Sequence, residues 1–167
     1  METWHEFYLV IGTAGATLTG LLFVIVSLNP RVVARRQTAG VKAFLSPNAV
    51  HFTATLVVSA MFLIPGLPTG VIGTPLCVGA VGALVYLART KTHEQWRRNK
   101  LDLPDWMWFI GLPVAAYGLV LLSGVGFLLQ AALSMHGVAV ALILLLVVGI
   151  RNAWDLVIWM TVQQEHE

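Results

Sequence analysis

His51, Thr55 and Ser59 recur every four residues within one long apolar run, so a helix would carry them as a single polar stripe. Thr13 and Thr17, followed by Gly20, form a second stripe in the first apolar run, with Ser27 near its end. Arg151, Asn152 and Asp155 gather at the end of the last run, the arginine and aspartate four apart on one helix face. Groups of this kind can line a water-filled path for an ion or solute. A histidine among them can sense protons, because it titrates near neutrality. An ionisable residue inside a bilayer is a functional candidate by default. The plainer reading is interhelical hydrogen bonding, worth roughly 0.6 kcal/mol each on average. Ser and Thr also bond their own helix backbone, and Arg151 can snorkel to the interface. The stripes favour this plainer reading. A polar cluster in which His51 meets Asp155, with Asn152 or Asn29, is expected near one end of the bundle.

Other chemistry has little to work with. There is no His-x-x-x-His, and Cys77 stands alone, so no metal motif forms. His5 and His136 are expected on one side of a membrane near Glu2 and Glu6, a weak arrangement for zinc. No nucleophile elbow, phosphate loop or dinucleotide fingerprint occurs. Gly12-Thr13-Ala14-Gly15 lies inside an apolar span, not at a strand-to-helix turn. Neither an enzyme nor a bound cofactor is expected.

The elements that carry these residues follow from composition. Of 167 residues 57% are hydrophobic and 11% charged, against about 25% charged in soluble domains. Such a chain belongs in lipid. Residues 7–28 carry no formal charge, enough for one crossing. Thr3 and Glu6 read as a capping box at its start, and Asn29-Pro30 as its stop. The run is longer than a signal-peptide core, so a removable leader is not expected. Residues 47–88 would make a helix of roughly 60 Å, twice the hydrocarbon thickness, so the chain must fold back. The break is Pro65-Gly66-Leu67-Pro68-Thr69-Gly70. Ser46-Pro47 and Thr74-Pro75 read as helix starts, with proline in the first turn. Residues 106–150 fold back at Gln130 to Gly137, with Asp105 as a cap and Pro113 as a kink. The spacing predicts an all-α, single-domain bundle over 1–167 with five spans near 7–28, 48–66, 72–90, 106–129 and 134–154.

Five crossings place every cation on one face: Arg31, Arg35, Arg36 and Lys42 in one connection, Arg89, Lys91, Arg97, Arg98 and Lys100 in another, and Arg151 at the end of the last helix. The positive-inside rule then puts the N-terminus outside and the C-terminus in the cytoplasm. The basic residues mark topology and form no long face for nucleic acid. The loop from Arg89 to Asp105 could also dock a partner or anionic lipid. Trp106, Trp108, Trp154 and Trp159 are expected at the inner interface, Trp4 and Tyr8 at the outer one. Small residues at spacing four are the expected packing positions: Gly12, Ala16 and Gly20; Gly79 and Ala83; Gly137 and Ala141. The same positions could serve self-association.

Trp4-His5-Glu6-Phe7-Tyr8, the run Gly12 to Val24, His51-Phe52-Thr53 and Gly149 to Asp155 together resemble a group of small bacterial multi-pass membrane proteins without assigned activity. The resemblance implies a bacterial inner-membrane location and carries over no site residues. The functional expectation is a non-catalytic membrane subunit that self-associates or partners another membrane protein. The alternative is a small oligomeric channel or transporter with a path along Thr13, Thr17, His51, Thr55 and Ser59.

Overall fold

In the computed structural model, residues 2–28, 39–91 and 106–165 are described. Among them the chain is helical with no strand: α1 (Glu2–Leu28), α2 (Ala39–Leu63), α3 (Thr69–Lys91), α4 (Leu112–Leu128, entered through a π-helical turn at Met107–Gly111) and α5 (Ser134–Glu165). Four segments are long and apolar enough to cross a membrane: Trp4–Leu28, Gly70–Arg89, Met107–Leu128 and Ser134–Asp155. The apolar part of α2, Pro47–Leu63, is shorter. By length and composition this is a membrane protein. Phe23, Val78 and Leu122 are among many large apolar side chains exposed on its outer surface, as expected where lipid is the solvent.

The connections at 64–68 and 129–133 occur where the sequence predicts them. Gly66 takes a positive φ of 72° in the first, and Gln130 a φ of 57° in the second. The helix starts differ from expectation. α1 begins at Glu2, so Thr3 lies within the helix and does not cap it. Pro47 and Pro75 are both inside helices, because α2 begins at Ala39 and α3 at Thr69. Each proline removes one backbone hydrogen bond. Both stand within about two turns of the helix start, where the ladder is easiest to interrupt. Pro113 does not break its helix. The preceding wide turn carries an N–H of Leu112 to the Met107 carbonyl, and Pro113 then falls in the first turn of α4. α5 continues to Glu165, well past 154. The two basic connections, with Asn29, Arg31, Arg35, Arg36, Arg97, Arg98, Lys100 and Asp105, lie outside the described residues, as do His166 and Glu167.

Neighbouring helices pack in the order α1, α2, α5, α4, α3. The antiparallel pairs α1–α2, α2–α5, α5–α4 and α4–α3 carry the core, whereas α2 and α3 hardly touch despite their tight turn. Glycines set the closest approaches. A Cβ at Gly15 would lie 3.0 Å from the Phe52 carbonyl oxygen, one at Gly12 2.9 Å from Ser59 Cβ, and one at Gly73 2.7 Å from the Gly124 carbonyl oxygen. Gly149 lies against the Phe52 ring. In lipid such contacts replace the hydrophobic drive that water would supply.

The expected packing stripes are only partly those used. Gly12, Gly137 and Ala141 face neighbours, and Ala83 is half-buried against the core. Ala16 and Gly20 are exposed, and α1 uses Gly12, Gly15 and Leu22 instead. Gly79 is exposed with open space around it, because α3 turns Gly73, Leu76 and Ala80 toward α4. Within the bundle, Ala16, Gly20 and Gly79 are therefore not packing positions.

Candidate functional site

α2 is the helix that builds the polar interior. Asn48, His51, Thr55 and Ser59, at spacings of three, four and four, are all buried on its inward face. His51 is 1% exposed, and its Nδ1 shares a 2.9 Å hydrogen bond with the Tyr117 hydroxyl of α4. In the tautomer with its proton on Nε2, the tyrosine donates; in the other, Nδ1–H donates to the hydroxyl. The two rings are 5.6 Å apart at 44°. Tyr86 on α3 lies within electrostatic reach of Tyr117. Thr55 donates 2.9 Å to the His51 carbonyl, one turn back on its own helix. Ser59 faces Gly12 of α1, and its hydroxyl has no partner.

α5 packs against α2, with Gly149 at the Phe52 ring and residues 151–155 just beyond it along α5. Asn152 is buried, and Arg151 and Asp155 approach to 4.0 Å one turn apart. That separation is an ion pair without a hydrogen bond. The Arg151 guanidinium carbon sits 4.7 Å from the centre of the Trp108 ring, so π-electrons provide its second contact. Both side chains of the pair are part-exposed, 41% for Arg151 and 32% for Asp155. The expected contact between His51 and Asp155 does not form. Histidine is taken by Tyr117 and the aspartate by Arg151, and no hydrogen bond ties Asn152 to either. Asn29 lies outside the described residues.

The α1 stripe points elsewhere. Thr13 and Thr17 are on the exposed side, and Thr13 donates 2.7 Å to the Leu9 carbonyl. Ser27 is also exposed and bonds Phe23 of its own helix. Thr13 and Thr17 therefore do not share a surface with His51, Thr55 and Ser59 inside one protomer.

The opposite end of the bundle is aromatic. Tyr8 is 1% exposed and stacks on Phe62 at 4.3 Å and 7°, so it is a core residue rather than an interfacial one. Phe127 lies 5.6 Å beyond Phe62, and Trp4 meets the His136 ring edge-on at 4.9 Å. His136 is thereby engaged by an aromatic ring, and both it and His5 are exposed. No group of three or more metal-ligating side chains occurs among the described residues.

Sequence reasoning missed Asn48 and Tyr117. Asn48 sits three residues before His51 and shares its face, a spacing hidden by reading the stripe only in fours. Tyr117 was legible as a hydroxyl inside an apolar helix, a group that needs a polar partner. No family model, curated protein or solved structure matches the chain.

Proposed function

We propose that this chain is a non-catalytic, polytopic membrane subunit that associates with further copies of itself through the outward face of α1. The observation that carries the reading is the position of α1. It is an edge helix whose best apolar window is only 17% buried. Its outward side presents Thr13, Ala16, Thr17 and Gly20, spaced to lie on one helix face. Small side chains there would let a second helix approach closely, and threonines can add hydrogen bonds across the contact. In the resemblance to bacterial multi-pass proteins, the setting is the inner membrane. The one-sided basic residues favour an outside N-terminus, a cytoplasmic C-terminus and five crossings, α2 included.

The transport alternative draws less support. Its five path residues divide between an outward and an inward surface, and Thr55 spends its hydroxyl on its own backbone.

The reading is tested by counting protomers in a bilayer. Full-length chains carrying Ala16→Cys, with Cys77→Ala, are expected to form disulfide-linked dimers, and Gly20→Leu to abolish them. Monomers at every lipid dilution, or dimers unaffected by Gly20→Leu, would overturn it. Ion or solute flux through liposomes containing the protein would restore the transport reading.

A further inference from the structure

Four side chains near the end of the bundle that carries Arg89 and Arg151 hold buried polar atoms without hydrogen-bond partners: Nδ2 and Oδ1 of Asn48, Nε2 of His51, Oδ1 of Asn152 and Nε of Arg151. Asn48, His51 and Asn152 are each at least nine-tenths buried. Asn48 and His51 lie on one face of α2. The register of α2 against α5 is fixed by the Phe52 ring on Gly149, with Ala49 and Ala153 packed against the same cluster. One turn from that contact toward the basic end, Asn48 on one helix and Asn152 on the other reach the same level. His51 stands one turn deeper than Asn48, its remaining nitrogen held by Tyr117.

Buried polar groups are ordinarily satisfied, because leaving water without a replacement bond is costly. Apolar side chains would fill this level at lower cost, so a polar guest is the natural complement. It must donate and accept, since amide oxygens accept, the Asn48 amide donates and imidazole does either with its tautomer. It must be small, because it lies between closely packed helices. It must also be uncharged. Among the described residues, the carboxylate of Asp155 is paired with Arg151 and part-exposed, so it does not neutralise a cation at this depth. Among the described residues, the charge of Arg151 is balanced by Asp155 and Trp108, although its Nε makes no hydrogen bond, so it does not offer a free charge to an anion. Water, with two to four polar partners, meets each requirement.

We infer that Asn48, His51 and Asn152 form a water-binding site inside the bundle, reached from the basic end, through which the His51 imidazole exchanges its proton with solution. The part-exposed Arg151–Asp155 pair lies beside Asn152 and keeps that route polar. Away from it, Ser59 closes against Gly12, and Phe62 between Tyr8 and Phe127 seals the interior. The site is independent of the α1 association face, and neither reading depends on the other.

The test uses the full-length chain in lipid nanodiscs, ¹⁵N-labelled at histidine, with His5, His93, His136 and His166 replaced by Gln so that His51 alone reports. Magnetisation transfer from water to the His51 ring is expected in this parent. It is expected to be lost in Asn48→Leu/Asn152→Leu, with helical content unchanged and the Tyr117 contact preserved. Absence of transfer in the parent overturns the site. So does transfer that survives the double substitution. Should the double variant fail to fold, Asn152→Leu alone must weaken the transfer or the inference fails. If added sodium or chloride, and not water, perturbs the His51 signal, an ion site replaces it.

Discussion

The two ends of this bundle solve the same problem in opposite ways. At one, Trp4, Tyr8, Phe62 and Phe127 bring flat apolar surfaces together, and the exposed ring of His136 meets Trp4 edge-on. At the other, Asn48, His51 and Asn152 hold buried polar atoms that no described side chain or backbone group satisfies. The same α2 helix serves both, with Phe62 in the aromatic group and Asn48 in the polar one. A purely structural role would let rings fill both ends. On the inference drawn above, the molecule is closed by rings on one side and hydrated on the other.

Substitutions can break that contrast, and the largest effect belongs to the closed end. Tyr8→Ala removes a ring that is stacked and fully enclosed, and should cost about 3 kcal/mol, near the lower bound for truncating a buried aromatic. Reversible unfolding in mixed micelles measures it; a loss within experimental error would mean that the rings do not hold this end. Gly149→Val comes next. The added methyls meet the Phe52 ring, and the α2–α5 contact should lose roughly 1–3 kcal/mol by overpacking in the same assay. Relief by a compensating Phe52→Leu would establish that the two residues touch.

The polar end should respond more weakly. Tyr117→Phe leaves His51 Nδ1 without its partner, at about 1 kcal/mol, and should shift the His51 nitrogen resonances by changing its tautomer balance. Unshifted resonances would remove the 2.9 Å bond from the account. Smallest of all, Asn48→Leu/Asn152→Leu should leave stability near that of the parent or raise it slightly, since both polar groups and their hydration are removed together. A loss on the scale of Tyr8→Ala would show that the asparagines are structural.

Much of this architecture is legible in the residues. Pro65 to Gly70 marks one turn and Gln130 to Gly137 contains the other, because a hydrocarbon-length limit forces an apolar run to fold back where its polar or helix-breaking residues fall. The stripe from His51 to Ser59 is legible too, since helical spacing fixes a common face. The prolines mislead. Pro47 and Pro75 resemble first-turn residues, yet a helix tolerates one missing bond close to its start. Packing on α1 is ambiguous from sequence because Gly12, Ala14, Gly15, Ala16 and Gly20 put small residues on nearly every face. Only the partner's shape selects Gly12 and Gly15. The meeting of His51 with Tyr117, and the level shared by Asn48 and Asn152, depend on which helices adjoin. Chain order does not give that, since α5 lies between α2 and α4 in space.

Thiol labelling in an intact bilayer tests the contrast between the two ends most directly. In a Cys77→Ala background, Asn48→Cys and Phe62→Cys place single probes at opposite ends of one helix. A small water-soluble thiol reagent should modify the probe at 48 and leave the probe at 62 unreacted until the protein is unfolded. Equal reactivity at both positions, or protection at 48 matching that at 62, would contradict a bundle closed at one end and hydrated at the other.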